Sequence, residues 1–201
     1  ELTLELMSLE QPMVVALNMM DEAARKGVSL KPTKLSHLLG VPVVTTVASQ
    51  GKGLTELLEN AVEAGRVQVR PVQVVFSRDV EEDIAELSDN LEFKIAEDLD
   101  LPWRFFMVKL LEDAPYLLEE VERRDPDLLP IVKNYQIILG QTHGRPPEIV
   151  IASERHALAV NIFEQVAKVA PASKPGWRER LDRIATHKVW GYVMLGVILA
   201  L

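Results

Sequence analysis

The first part of the chain alternates short apolar runs with helical patterns. Strand-like runs occupy residues 13–17 and 43–46, and each is entered through a proline. Helical spacing follows each run, at residues 34–39 and 54–62, and the second helix carries the apolar positions Leu54, Leu57, Leu58, Ala61 and Val62. Strands without a polar face are typical of a parallel sheet covered by helices. The pattern therefore predicts a βαβα unit, as in α/β nucleotide-binding folds.

The periodicity becomes helical in the second part of the chain. Residues 67–76 alternate loosely, which predicts one strand or an extended linker, and residues 79–170 follow helical spacing interrupted by prolines. The clearest helix is predicted to begin near Pro147 and has one face formed by Ala159, Ile162, Phe163, Val166, Val169 and Ala170. We therefore predict an α/β part at residues 1–66 and an all-α helical domain at residues 67–170.

Two further apolar groups stand out. The chain opens in a helical pattern whose apolar face is formed by Leu2, Leu6 and Leu9. The aromatic side chains of Trp103, Phe105 and Phe106 are more typical of a hydrophobic core than of a cofactor pocket.

The last thirty or so residues have a different character. Residues 171–188 contain five cations and two anions opposite an apolar stripe, which predicts a linker and an amphipathic helix at a membrane interface. Residues 189–201 carry no charge and are too few for the roughly 20 residues of a bilayer span. They predict the start of a transmembrane helix. A buried terminal helix, with a solvated basic helix before it, is the alternative.

Composition and charge exclude several functions. The 201 residues include no cysteine, which excludes disulfides, thiolate metal sites and a cysteine nucleophile. The net charge of −8 argues against a nucleic-acid partner, which would require a basic face. The four histidines share no metal-ligand spacing, so we predict no metal site. We also predict no catalytic residues, because the chain has no phosphate-binding loop of the form G-x-x-x-x-G-K-[ST].

The candidate chemistry begins where the first predicted strand ends. Asn18 and Asp21, with two residues between them, follow Leu17 and match the N-x-x-D motif with which GTPases bind the base. An aspartate carboxylate can accept hydrogen bonds from both N1–H and the 2-amino group of guanine, whereas adenine would leave it unpaired. The alternative interpretation is an Asx turn or a helix N-cap.

A second loop lies at the predicted end of the next strand. Residues 46–54 resemble the base-contacting loop T-S-A-x-x-G-x-G-[IL] of GTPases, in which the backbone N–H of the alanine faces guanine O6. Ala48 retains the alanine, while Val47 occupies the position of the usual serine. Gly51 and Gly53 permit a tight turn before the following helix. Alone, this segment would be only a glycine-containing loop.

Longer stretches of the chain resemble FeoB, the bacterial ferrous iron transporter. The most similar stretches are L-T-L-E-L-M-S-L-E-Q-P-M-V-V-A-L-N-M-M-D-E-A, L-S-H-L-L-G-V-P-V-V, L-P-W-R-F-F-M-V-K-L-L-E-D, E-R-H-A and L-D-R-I-A-T-H-K-V-W-G. The resemblance implies the second half of a P-loop GTPase domain with a partial parallel sheet at residues 1–66. It also implies a helical GDI-like domain that slows nucleotide release at residues 67–170, and then the first turns of a membrane helix.

The resemblance also implies a set of site residues. Asn18 and Asp21 would bind the base, Met20 would lie against the purine, and Val47 and Ala48 would line the O6 side. The loss of the serine hydroxyl at Val47 would weaken selectivity for guanine. The chain contains no G-x-x-x-x-G-K-[ST] phosphate loop and no D-x-x-G, and the family's Mg²⁺ ligands precede Glu1. We therefore expect GTP and GDP binding but no hydrolysis by this chain alone.

The expected function is that of the GTP-binding regulatory region of a ferrous iron transporter in the cell inner membrane, mostly on the cytoplasmic side. The expected partners are guanine nucleotide, Fe²⁺ in the whole protein and membrane lipid at the C-terminus, and assembly into several copies is left open. Two alternatives remain from the sequence: a soluble GTPase with a helical appendage, and a helical interaction module with a degenerate nucleotide site.

Overall fold

The computed structural model describes residues 1–90 and 94–170. Within these ranges, no helix has both the length and the apolar character that a membrane crossing requires. The amphipathic helix predicted at residues 171–188 and the transmembrane segment predicted at residues 189–201 lie outside the described residues.

The α/β part has the predicted alternation of strands and helices. Its elements are α1 (Leu2–Met7), β1 (Val15–Leu17), α2 (Met20–Arg25), β2 (Val28–Leu30), α3 (Pro32–Leu39), β3 (Val43–Thr45) and α4 (Leu54–Val67). Strands β1 and β3 pair in parallel, with Val15 opposite Val43 and Leu17 opposite Thr45. Both strands therefore end at the same edge of the sheet. The sequence pattern missed α2 and β2, because six and three residues are too few to show a period.

The apolar faces of this part are less buried than their periodicity indicates. Helix α1 buries Leu4 and Met7, whereas Leu2 and Leu6 of the predicted face are exposed. On α4 the predicted stripe lies at the surface, and Leu54, Leu58 and Val62 are 38%, 67% and 72% exposed. Periodicity identifies the apolar side of a helix but does not say whether another element covers it.

An extended linker joins α4 to the helical domain. It contains no helix or strand, which decides between the two predicted alternatives, although Val74 and Phe76 are buried as the alternating pattern requires. The Arg104 side chain donates hydrogen bonds of 2.8 and 3.2 Å to the Val74 carbonyl oxygen and pairs with Glu81. These contacts fix the linker against the helices.

The described residues of the helical domain form six helices. They are α5 (Arg78–Asn90), α6 (Lys94–Asp98), α7 (Trp103–Leu111), α8 (Pro115–Arg124), α9 (Leu128–His143) and α10 (Pro147–Val166). Helix α10 begins at the predicted Pro147 but ends before strand β4 (Ala167–Val169), where a helix was predicted. Helix α7 is central: Phe106 and Met107 are almost fully buried, whereas Trp103, predicted in the core, is 41% exposed.

The chain divides into two compact units. The first contains Glu1–Met20 and Lys31–Ala167, which include the β1–β3 sheet and the helical domain. Among the described residues, the second contains Asp21–Leu30 and residues 168–170. Within the second unit, the Ala170 N–H donates a 2.8 Å hydrogen bond to the Gly27 carbonyl oxygen, next to the two-stranded sheet of β2 and β4.

Candidate functional site

Two loops meet at the edge of the sheet where β1 and β3 end. The Thr46 N–H donates a 2.9 Å hydrogen bond to the Leu17 carbonyl oxygen, and the Met20 N–H lies 3.4 Å from the Thr46 carbonyl oxygen. The segments that follow β1 and β3 therefore stay hydrogen-bonded to each other just beyond the strands. Parallel strands bring their carboxyl ends together in this way, which is where ligands bind in open α/β sheets.

The side chain of Asn18 joins the two loops. Its Oδ1 atom accepts one hydrogen bond of 3.0 Å from the Ala48 N–H and another of 3.1 Å from the Thr46 hydroxyl. Because an amide oxygen has two lone pairs, both acceptor positions of Asn18 are used. What Asn18 can offer a ligand is therefore its amide NH₂ group, which donates two hydrogen bonds.

Thr46 is a site residue that the sequence interpretation missed. Its side chain is 3% exposed, and its hydroxyl holds the Asn18 oxygen from inside the sheet edge. A signal was available, since a threonine opens the T-S-A motif that the second loop resembles. The sequence does not show that this threonine contacts a residue of the first loop, because that contact spans 28 positions.

The second loop is a compact turn shaped by its glycines. Val47 and Lys52 form a two-way backbone pair of 3.1 and 3.3 Å around a single 3₁₀ turn, Ala48–Gln50. Gly51 and Gly53 both have left-handed backbone conformations, with φ of 68° and 75°. A Cβ atom at Gly53 would lie 2.2 Å from the Thr45 carbonyl oxygen, so only glycine fits there.

The first loop presents a methionine other than the predicted one. Met19 has a left-handed backbone, with φ of 61°, and its side chain is 61% exposed, whereas Met20 begins helix α2 and is half-buried. A non-glycine residue with positive φ is uncommon and often marks a functional loop. Met19 is thus the more accessible apolar side chain beside Asn18. Met19 could have been selected from the sequence, because it is one of the two residues between the Asn and the Asp of the N-x-x-D motif.

Asp21 lies in the first turn of α2, followed by Glu22. A carboxylate is favoured at a helix N-terminus, where backbone N–H groups point outward. Asp21 belongs by its contacts to the second compact unit, whereas Asn18, Met20, Val47 and Ala48 belong to the first. The structure thus brings Asn18 and Ala48 into direct contact, with Met20 and Val47 in the adjoining backbone.

The Asn18 amide and the Asp21 carboxylate differ in the hydrogen bonds that they can make. The Asn18 NH₂ group can donate to a base acceptor, and a carboxylate such as that of Asp21 can accept from an N–H pair. The Ala48 N–H, predicted to face O6, is hydrogen-bonded to Asn18 here, so it must share or exchange this partner to reach a base. Among the described residues, no group of three His, Asp or Glu side chains is placed to hold a metal ion.

Family models match both parts of the chain. The model described as "Ferrous iron transport protein B" matches residues 1–61, and the model described as "FeoB cytosolic helical domain" matches residues 76–168. The two matches fall on either side of the extended linker, and both loops lie within the first.

Curated relatives span the chain almost completely. An Fe(2+) transport protein A/Fe(2+) transporter FeoB fusion protein of Porphyromonas gingivalis is 29% identical over 95% of this chain and 24% of its own length. An Fe(2+) transporter FeoB of Staphylococcus aureus is 23% identical over 100% of this chain and 29% of its own length. The chain thus spans about a quarter of the length of the relatives it matches.

Solved structures share the fold. A mutant NFeoB of S. thermophilus bound to GDP superposes with a TM-score of 0.71 at 22% identity, over 83% of this chain and 63% of that one. NFeoB of S. thermophilus bound to GDP.AlF4⁻ and K⁺ gives 0.69 at 23% identity, over 81% and 62%. The cytosolic domain of L. pneumophila FeoB gives 0.62 at 22% identity, over 83% and 61%.

Proposed function

We propose, because this chain belongs to the FeoB family of ferrous iron transport proteins, that it is the cytosolic regulatory region of an Fe²⁺ transporter and binds guanine nucleotide through its base. The observation that carries the proposal is the contact between Asn18 Oδ1 and the Ala48 N–H at 3.0 Å. This contact joins an N-x-x-D loop to an alanine-containing loop at the ligand-binding edge of a parallel sheet.

The proposed base site assigns a role to each predicted residue. The Asp21 carboxylate accepts from the N1–H and 2-amino groups of guanine, and the Asn18 amide donates to the acceptor edge of the base. Met20 contributes to the apolar side of the loop that faces the purine, and Ala48 and Val47 line the O6 side. The exposed Met19 side chain is added to this set as a cover for the purine ring.

The remaining parts of the proposal concern the whole protein. GDP is bound in one related structure and GDP.AlF4⁻ with K⁺ in another, so we propose that hydrolysis occurs once a phosphate-binding half precedes this chain. Residues 1–66 would complete that GTPase domain, and residues 67–170 would regulate nucleotide release. Residues 171–188 and 189–201 would lead into the inner membrane, through which Fe²⁺ passes as the substrate.

The test changes the hydrogen-bonding group at position 21 and compares two bases, guanine and xanthine, that differ at the 2-position. Asp21→Asn is made in an extended protein, defined as this chain preceded by a phosphate-binding half that contains G-x-x-x-x-G-K-[ST]. Xanthine carries an oxygen acceptor in place of the 2-amino donor of guanine, so an amide at position 21 should suit it better. We expect the variant to lose GDP affinity by roughly 2–4 kcal/mol and to gain affinity for xanthosine diphosphate.

Calorimetric titrations with both nucleotides measure this exchange. Glu22→Gln, one residue further along the same helix turn, is the matched control and should leave both affinities unchanged. Equal GDP affinity in the parent and the Asp21→Asn protein would contradict the base assignment and favour the alternative of a degenerate nucleotide site.

A further inference from the structure

A largely buried cluster of four charges connects α1 to the helical domain. Lys109 of α7 donates hydrogen bonds to Glu5 of α1 and, at 2.8 Å, to Glu112. Arg155 of α10 contacts the same Glu112 carboxylate at 3.1 and 3.3 Å. The side chains of Lys109, Glu112 and Arg155 are only 12%, 16% and 11% exposed. Two cations and two anions thus balance at the junction of three helices.

The contacts of the cluster favour the charged forms of Lys109 and Glu112. Burial by itself would lower the pKa of Lys109, but its hydrogen bonds to Glu112 and Glu5 outweigh burial and raise it. Burial likewise opposes the charged form of Glu112, while hydrogen bonds from Arg155 and Lys109 bring its pKa below the ordinary value of 4.5. The cluster is therefore a network of ion pairs rather than a set of neutral hydrogen bonds.

Helix α1 contributes two side chains to the hydrophobic core. The helix has six residues, of which Leu4 and Met7 are buried, and a helix this short is not stable by itself. A cavity of about 290 Å³ lies beside it, lined by Leu4, Val15, Leu17, Leu39 and Ile162 among others. Two ion pairs join this helix to the helical domain: Glu1, at its N-cap, with His156 at 2.5 Å, and Glu5 with Lys109. The pair of Glu5 with Lys109 is much the less exposed of the two, so it is the stronger directional contact that fixes α1.

The position of α1 bears directly on the base loop. Helix α1 ends at Met7, a short connection follows, and β1 runs from Val15 to Leu17 immediately before Asn18. The cavity lies between α1 and β1, so a shift of α1 is not resisted by close packing at this place. Lys109 belongs to the stretch L-P-W-R-F-F-M-V-K-L-L-E-D and Arg155 to E-R-H-A, two stretches to which the base site gives no role.

We propose that Lys109 is a positioning residue for the base site: it holds α1 to the helical domain and thereby fixes β1 and the Asn18 loop. The ligand-binding part of this statement rests on the proposed function, whereas the mechanical part does not. The helical domain in this way controls the order of a loop to which it contributes no residue.

Amide hydrogen exchange on the 201-residue chain tests the mechanical part. In Lys109→Met, which keeps the length and removes the charge, the Thr46 and Ala48 amides should exchange at least about tenfold faster, since Glu5 and Glu112 lose their shared cation. Amides inside α5 should keep their parent rates. Lys109→Arg, which retains the charge, should restore protection. Glu5→Gln removes the α1 side of the pair alone and should give the same local effect.

A matched control uses another lysine of the helical domain. Lys133 pairs with Asp113 at 2.7 Å, both side chains being close to half exposed, and Lys133→Met should leave the Thr46 and Ala48 amides unchanged. Unchanged exchange at these amides in both Lys109→Met and Glu5→Gln would overturn the proposal. So would an increase of equal size in α5, because that would indicate general destabilisation rather than positioning.

The release rate of a fluorescent GDP analogue tests the functional part in the extended protein. Release should be faster in Lys109→Met by a factor similar to that for exchange, and Lys109→Arg and Lys133→Met should match the parent. Parent-like release in a Lys109→Met protein that binds the analogue would overturn the functional part. If the parent does not bind the analogue at all, the proposed function fails, while the exchange comparison still decides whether Lys109 positions the loop.

Discussion

The two parts of the chain use their apolar and polar residues in opposite ways. In the helical domain, α7 is almost entirely buried, and its charged residues Lys109 and Arg104 are also buried in ion pairs. In the α/β part, the apolar residues Leu58 and Val62 are exposed, and the chemically informative groups lie on loops at the sheet edge. The helical domain therefore supplies most of the hydrophobic core, which Leu4, Met7 and Leu39 of the α/β part join, whereas the candidate ligand site lies in the α/β part.

The comparison predicts that shortening a side chain lowers the free energy of unfolding more in the helical domain than on α4. Phe106→Ala in α7 should lower the free energy of unfolding by about 3–5 kcal/mol, because it removes a buried ring from a close-packed core. Leu58→Ala on α4 is the contrasting variant and should change stability by less than about 0.5 kcal/mol. Urea unfolding followed by circular dichroism measures both. Equal costs would remove the distinction between the two parts.

A second pair of variants compares the two glycines of the base loop. Gly53→Ala should destabilise the chain by about 2–5 kcal/mol, since its Cβ would meet the Thr45 carbonyl oxygen at 2.2 Å in a left-handed conformation. Gly51→Ala has the same backbone conformation and no neighbouring atom within 4 Å, so it should cost only about 1–2 kcal/mol. Thermal unfolding of the two variants gives the difference.

Acid should weaken the charge cluster of the helical domain once Glu112 takes up a proton. The pKa of Glu112 lies below its unfolded value of about 4.5 in spite of burial, because Arg155 and Lys109 bind the carboxylate. Its stabilisation is therefore present above pH 4.5 and is lost as the pH falls through the lowered pKa. The slope from this one proton is at most about 1.4 kcal/mol per pH unit. Glu112→Gln should flatten the pH dependence of urea unfolding in this window.

The hydrogen bond that supports Asn18 should have a smaller effect. Thr46→Val keeps the shape of a buried side chain and removes the hydroxyl that donates to Asn18 Oδ1, so guanine-nucleotide affinity in the extended protein should fall by about 1 kcal/mol. Thr45→Val, at the neighbouring exposed position, is the control and should leave affinity unchanged. Calorimetry measures both. An equal loss of affinity in Thr45→Val would show that the effect does not come from the hydrogen bond between Thr46 and Asn18.

The smallest expected effect concerns base selectivity. Val47→Ser restores the hydroxyl found in the GTPase motif and should increase discrimination of GTP over ATP by roughly two- to tenfold, the range of one net hydrogen bond. Competition of ATP against a labelled guanine nucleotide in the extended protein measures it. Identical selectivity in Val47→Ser and the parent would mean that the departure from the motif has no effect on binding.

Several elements were predictable because their signal is local. Pro147 begins α10 as predicted, since proline fits the first helical turn, and Gly40 ends α3 in the left-handed conformation that glycine favours. The parallel pairing of β1 and β3 followed from two apolar runs with a helix between them. Strand β2 and the strand at the end of α10 were not predictable, because three-residue strands have no readable period.

The candidate site was predictable in part for the same reason. N-x-x-D and the alanine-containing loop are local motifs, so Asn18, Met20, Asp21, Val47 and Ala48 could be named from sequence, and their roles remain proposals. The support that Thr46 gives Asn18 spans 28 positions, and the ion pair of Lys109 with Glu5 spans 104. Hydrogen bonds between such distant residues depend on how the elements pack.

The sequence by itself determined the two paired strands β1 and β3, the longer helices, the two candidate base loops and the resemblance to FeoB, because each depends on neighbouring residues. Only the tertiary structure decided which apolar faces are covered, as α1 buries Leu4 and Met7 instead of Leu2 and Leu6. It also decided that Asn18 uses its oxygen within the protein and that Lys109 connects α1 to α7. Burial and ion pairing are properties of the surroundings, and the chain must fold before those surroundings exist.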